Sequence, residues 1–124
     1  IDDDKFVVAV IAGTLKNVGH EVEVAYDGEA GEQMFDAGTF DVVICDMLMP
    51  RQEGIETIRY MRGAKPGVGI VAVSGGLGPN FDVLAVWKDF TADMRGSALP
   101  CNHYLAEEEP EQTAQRLLEF FVPF

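Results

Sequence analysis

The run Phe40-Asp41-Val42-Val43-Ile44-Cys45-Asp46-Met47-Leu48-Met49-Pro50 constrains the fold of this chain more than any other stretch. Apolar residues 42–45 follow one another without interruption, end on a carboxylate, and give way at once to a turn signal. A short continuous apolar run bounded by breakers suits a strand buried on both faces, the kind found in parallel sheets. Asp46 is then expected at the carboxyl end of a central strand, where open α/β sheets place their ligands. A carboxylate in that position is costly to desolvate and needs a cation, a donor or a reaction. A second acidic cluster, Asp2-Asp3-Asp4, lies upstream and also precedes helical pattern. Two acidic clusters at strand ends predict a divalent-metal site built around Asp46.

The remaining pattern alternates helix and strand. Val7, Ile11, Leu15 and Val18 form one helical face, with Asp4 as cap and Gly19 as stop. Glu21 to Tyr26 alternates polar and apolar residues, which predicts a half-exposed strand near a sheet edge. Asp27-Gly28 opens a second helix carrying Ala30, Met34 and Ala37, and Gly38 ends it. Gly54 precedes a third helix with Ile55, Ile58 and Met61, broken by Lys65-Pro66-Gly67. Val68 to Val73 is a further apolar strand, followed by the glycine-rich Ser74–Pro79. A helix with Val83, Trp87, Phe90 and Met94 on one stripe and a short strand at His103-Tyr104-Leu105 come next. Pro110 suits the first turn of a last helix with Ala114, Leu117, Leu118 and Phe121.

This order predicts one α/β domain over residues 1–124, a parallel sheet with helices on both faces. Acids at the carboxyl end of a strand need a strand leading up to Asp2, so the first strand is expected largely upstream of Ile1. The 48% hydrophobic content excludes disorder. A formal net charge of −12 repels phosphate backbones, so no direct nucleic-acid binding is expected. No apolar run approaches the ~20 residues that span a bilayer. No signal peptide opens the chain, which predicts a cytoplasmic protein without membrane insertion. Cys45 and Cys101 lack metal-ligand spacing and read as reduced thiols. Gly75-Gly76-Leu77-Gly78 lacks the Lys-Ser/Thr of a phosphate loop and reads as a linker.

Over nearly its whole length the chain resembles receiver domains of two-component response regulators. Asp2-Asp3-Asp4 is similar to that family's acidic cluster, and Asp3 lies 43 residues before Asp46, as is usual there. Asp46-Met47-Leu48-Met49-Pro50 with Gly54 resembles the phosphoacceptor loop. Ser74 matches the switch hydroxyl and Tyr104 the switch aromatic. The resemblance implies a flavodoxin-like, doubly wound, five-stranded parallel sheet of order 2-1-3-4-5. It also implies Mg²⁺ held by Asp2, Asp3, Asp46 and the main-chain carbonyl of Leu48, since Mg²⁺ prefers oxygen ligands and retains waters. Asp46 would accept a phosphoryl group from a sensor histidine kinase or phosphotransfer protein. The signal would pass to a downstream protein partner, in a signalling module rather than an enzyme.

Two departures stand out. The family carries Lys-Pro three and four residues after the switch aromatic, where this chain has Glu107-Glu108. The lysine makes a charge-assisted bond to the phosphoryl group, and Glu107 would repel it. The segment from Ser74 to Tyr104 is also longer than usual. Glu107 supports an alternative, a pseudo-receiver that acts as an interaction module without a phosphorylation cycle. A third possibility is a small flavodoxin-like ligand binder or hydrolase, against which the missing phosphate loop and catalytic base argue.

Overall fold

The structure, a computed structural model, describes residues 1–49, 54–73, 96, 99 and 108–121. Helix α1 (Lys5–Asn17) begins where the sequence places its cap. Asp4 Oδ1 accepts the N–H groups of Phe6 (2.8 Å) and Val7 (3.3 Å), which no turn of helix precedes to satisfy. The helix ends at Val18, and Gly19 follows at φ +96°, a left-handed conformation that glycine adopts without steric cost. Helix α2 (Gly28–Ala37) repeats the device: Asp27 Oδ1 accepts from Ala30 N at 2.7 Å, and Gly38 N–H closes onto Met34 O at 2.9 Å.

Strand β1 (Val42–Asp46), helix α3 (Gly54–Ala64) and strand β2 (Gly69–Val73) form a parallel crossover unit. The register runs from Val42 opposite Gly69 to Asp46 opposite Val73. Helix α4 (Pro110–Phe121) starts on the predicted proline and packs against α1. The main core lies between β1 and the α2–α3 layer, around Phe35, Val43, Cys45, Met47, Ile58 and Met61. Across the sheet, α1 buries Val8, Ala12 and Leu15, and α4 buries Leu117. Burial of β1 on both faces is only half realised. Val43 and Cys45 are buried, whereas Val42 and Ile44, on the opposite face, are half-buried.

Lys65, which reads as part of a helix breaker, fastens two helices together. Its ammonium lies over the Phe35 ring, 4.5 Å from the centroid, and donates to Phe35 O and to Gly38 O (2.8 Å). The carbonyls at the end of α2 thereby gain a cation, which the helix dipole favours.

Residues 21–26 do not form the strand their alternation predicts. Alternation supplies an amphipathic segment, but a strand also needs a ladder of hydrogen bonds. Among the described residues one such backbone bond is made, from Asp2 N to Ala25 O at 3.2 Å. Ile1 occupies the position between this segment and β1. Its N donates to Ile44 O (2.7 Å), and its carbonyl accepts from Asp46 N (2.9 Å). The spatial sequence of residues 21–25, Ile1–Asp2, β1 and β2 therefore follows the expected 2-1-3-4 order. The predicted helix around Trp87, the strand at His103–Leu105 and the loop 74–79 lie outside the described residues.

Candidate functional site

β1 carries Asp46 to the carboxyl edge of the sheet, and backbone bonds on both sides hold it there. Asp46 N–H is taken by Ile1 O, and Met47 N–H by Val73 O at 2.9 Å. The Asp46 carboxylate then turns back, with Oδ1 accepting from Leu48 N at 3.2 Å. Helix α3 begins directly on this turn, through Gly54 N–H to Met47 O at 3.1 Å. A Cβ at position 54 would fall 1.8 Å from Asp46 O and 2.7 Å from Met47 Cα. Only glycine lets α3 start so close to the chain that presents Asp46.

The acidic triplet divides its labour. Asp4 is consumed as the cap of α1, whereas Asp2 and Asp3 face Asp46. One carboxylate oxygen from each of Asp2, Asp3 and Asp46 lies within 4.8 Å of the others, with Asp3 exposed and its two partners half-buried. Asp2 Oδ1 also accepts from Asp4 N at 2.9 Å, which fixes its orientation. Ile1 anchors this end of the chain on α2, where a Cβ at Gly31 would come within 2.5 Å of Ile1 Cδ1.

Burial pushes the Asp46 carboxyl up to about 6, and the charges of Asp2 and Asp3 add to the rise; the N–H groups of Leu48 and Met47 offset part of it. Asp2 is raised as well, chiefly by burial and further by Asp3 and Asp4, against the Asp4 N–H and the chain's amino end. Three crowded carboxylates, two of them partly desolvated, are an unfavourable arrangement that a hard divalent cation relieves. The donor set fits: all three ligand atoms are oxygen, and opposite oxygens around Mg²⁺ stand about 4.2 Å apart, leaving positions for water. Cys45, next to Asp46, takes no part. Burial raises its thiol to about 12, and its side chain is enclosed in the core.

The structure thus brings together three predicted residues, Asp2, Asp3 and Asp46, with the Leu48 backbone bound to Asp46. Ser74, Tyr104 and Glu107 lie outside the described residues, although Val73, just before Ser74 in the chain, is the register partner of Asp46. Sequence reasoning missed the close approach of Gly54 and the seating of Ile1 on Gly31. Both depend on tertiary proximity, and the only signal in the sequence was a glycine with no turn to serve.

A parallel α/β domain with an acidic cluster at the carboxyl end of its strands defines a class of fold and site. The family model described as response regulator receiver domain matches residues 1–89, and the chain belongs to this family. The match includes Asp2, Asp3, Asp46, Leu48 and Ser74 and ends before Tyr104 and Glu107. The response regulator MprA of Mycobacterium tuberculosis is 31% identical over 74 residues, 60% of this chain and 32% of that protein. The transcriptional regulatory protein CpxR of Escherichia coli is 32% identical over 62 residues, 50% of this chain and 26% of that protein. The matched stretch thus spans about a third or less of these curated relatives. Among solved structures, chemotaxis protein CheY4 of Vibrio cholerae is similar at a TM-score of 0.67 and 26% identity, covering 93% of this chain and 92% of that one. A CheY-like receiver domain protein of Methanospirillum hungatei superposes equally well (TM-score 0.67, 20% identity, 95% and 92% covered) and shows the shared fold. Among the described residues no helix is long and apolar enough to cross a membrane.

Proposed function

We propose that this chain is a working phosphoacceptor, with Asp46 as the nucleophile. The observation that carries this reading is the set of three carboxylate oxygens within 4.8 Å at the end of β1. An Asp46 oxygen attacks the phosphorus of a phosphohistidine on a histidine kinase or phosphotransfer protein. The P–N bond breaks, its electron pair returns to the imidazole, which takes up a proton, and Asp46 becomes an acyl phosphate. Little covalent chemistry is required of the protein beyond alignment and charge neutralisation. Asp2, Asp3, Asp46 and the Leu48 carbonyl would hold Mg²⁺, which supplies the positive charge that lets one anion approach another. Ser74 serves as the switch hydroxyl and Tyr104 as the switch aromatic, and the signal leaves through contact with a protein partner in the cytoplasm.

Glu107 favours a second reading, an interaction module with no phosphorylation cycle, because an anion replaces the family's lysine. Incubation with acetyl phosphate and Mg²⁺, followed by intact mass measurement, decides between them. Addition of one phosphoryl group that is lost in Asp46→Asn supports the phosphoacceptor. An unmodified parent chain, under conditions where Mg²⁺ demonstrably binds, supports the module without a cycle.

A further inference from the structure

A cation follows the acidic triplet directly in the chain, yet it pairs with none of the three carboxylates. Lys5 opens α1, two residues after Asp3, and its ammonium lies over the Tyr26 ring, 5.8 Å from the centroid. Among the described residues it forms no ion pair. Two of its acidic neighbours are already committed: Asp4 Oδ1 caps the helix, and Asp2 Oδ1 accepts from Asp4 N. Asp2 N bonds in turn to Ala25 O, the residue just before Tyr26. Ring and ammonium therefore stand beside the stretch that carries Asp2 and Asp3, and both are open to solvent. An aromatic ring holds a cation only weakly where water reaches both. The Cα atoms of Asp3 and Lys5 lie at most about 7.6 Å apart across two trans peptides, so the flexible four-carbon stem can carry the charge to the cluster.

We propose that Lys5 is a phosphoryl-binding residue: once Asp46 carries the group, the Lys5 ammonium leaves the Tyr26 ring and donates to a phosphoryl oxygen. This inference rests on the reading of Asp46 as the phosphoacceptor. Charge supplies the reason for the move. A phosphoryl group carries close to two negative charges, so together with Asp2 and Asp3 a divalent cation leaves an excess of about two. Neither Asp2 nor Asp3 can offset that excess, since both are anions. A charge-assisted bond to a phosphate oxygen is stronger than a contact with a solvent-exposed ring, which sets the direction of transfer. Before phosphorylation the same ring keeps the ammonium off the carboxylates, so it does not compete there with the divalent cation.

The test uses the whole chain with Mg²⁺ and beryllium fluoride, a phosphoryl mimic, followed by calorimetry and by NMR of the tyrosine ring protons. The Tyr26 ring signals of the parent should shift when beryllium fluoride binds, as the ammonium departs. Lys5→Gln keeps most of the stem and removes the charge. It should bind beryllium fluoride about tenfold more weakly, with a smaller Tyr26 shift, while its affinity for Mg²⁺ alone is not lowered. Lys5→Arg retains the charge and should retain most of the affinity. Equal binding of beryllium fluoride by Lys5→Gln and the parent overturns the proposal. So does a matching loss of Mg²⁺ affinity, which would mark damage to the acidic cluster instead. A parent chain that binds Mg²⁺ but takes up neither beryllium fluoride nor a phosphoryl group from acetyl phosphate overturns the phosphoacceptor reading itself, and the role of Lys5 with it.

Discussion

Replacing Asp46 with asparagine should stabilise the metal-free protein, and by an amount that depends on pH. The carboxyl is raised from an ordinary aspartate value of 3.8 to about 6, with burial the main cause and the Asp2 and Asp3 charges adding to it. Between those two values the native state holds more protons than the unfolded chain, so stability falls as pH rises through the window. Above it the whole cost is present; below about pH 4 it vanishes. Two pKa units correspond to about 3 kcal/mol at most. Because the carboxylate is only half-buried, solvent screening reduces this to about 1–2 kcal/mol. Asparagine keeps an oxygen for Leu48 N–H and removes the charge. Thermal melts should therefore show Asp46→Asn equal to the parent at pH 4 and higher by roughly 3–8 °C at pH 7.5, for a domain of this size. Millimolar Mg²⁺ should raise the parent and not the variant, closing the gap. A variant no more stable at pH 7.5, or an equal difference at both pH values, would show that Asp46 bears no ionisation strain and would refute the account of the site.

Four further variants separate the packing from the acidic cluster. Gly54→Ala must displace the Asp46–Met47 backbone and should cost about 2–3 kcal/mol in urea unfolding, with weaker Mg²⁺ binding by fluorescence or calorimetry. Asp4→Ala should cost about 1 kcal/mol as a lost helix cap and leave Mg²⁺ affinity unchanged, whereas Asp3→Asn should lower Mg²⁺ affinity without the loss of stability. Lys65→Met removes the bonds to Phe35 O and Gly38 O and should lower the urea midpoint by an amount equivalent to about 1–2 kcal/mol, with faster amide exchange at the end of α2.

What the sequence disclosed was governed by local chemistry. Asp4 and Asp27 announce helix starts because a side chain two or three residues away satisfies the first N–H groups. Gly19 announces an end because its conformation is closed to most other residues. The apolar run at Val42–Cys45 announces a strand because a continuous apolar run that short, bounded by breakers, is too short for a helix. The division of the acidic triplet into one cap and two residues that face Asp46 was also readable, because capping geometry selects the residue nearest the helix. Non-local matters were not readable. Glu21–Tyr26 has the alternation of a strand but lacks a ladder, and alternation cannot report whether a neighbour donates. Lys65 reaches across 27 and 30 residues of chain to the end of α2, and no spacing rule signals that reach. The seat of Ile1 on Gly31 was hidden for the same reason.

That seat has a consequence for how such a site can change over time. Helix α2 adds no carboxylate to the cluster of Asp2, Asp3 and Asp46, yet its residue 31 is the footing on which the Ile1 side chain stands, and Asp2 and Asp3 follow directly from Ile1. A single methyl group added there would displace the Ile1 side chain, and whatever part of that shift reaches the Ile1 backbone moves Asp2 and Asp3 relative to Asp46. Selection on the acidic cluster therefore extends to a helix that has no chemistry of its own. Conversely, a modest change in the packing of α2 would alter the spacing of the three carboxylates while every one of them is left in place.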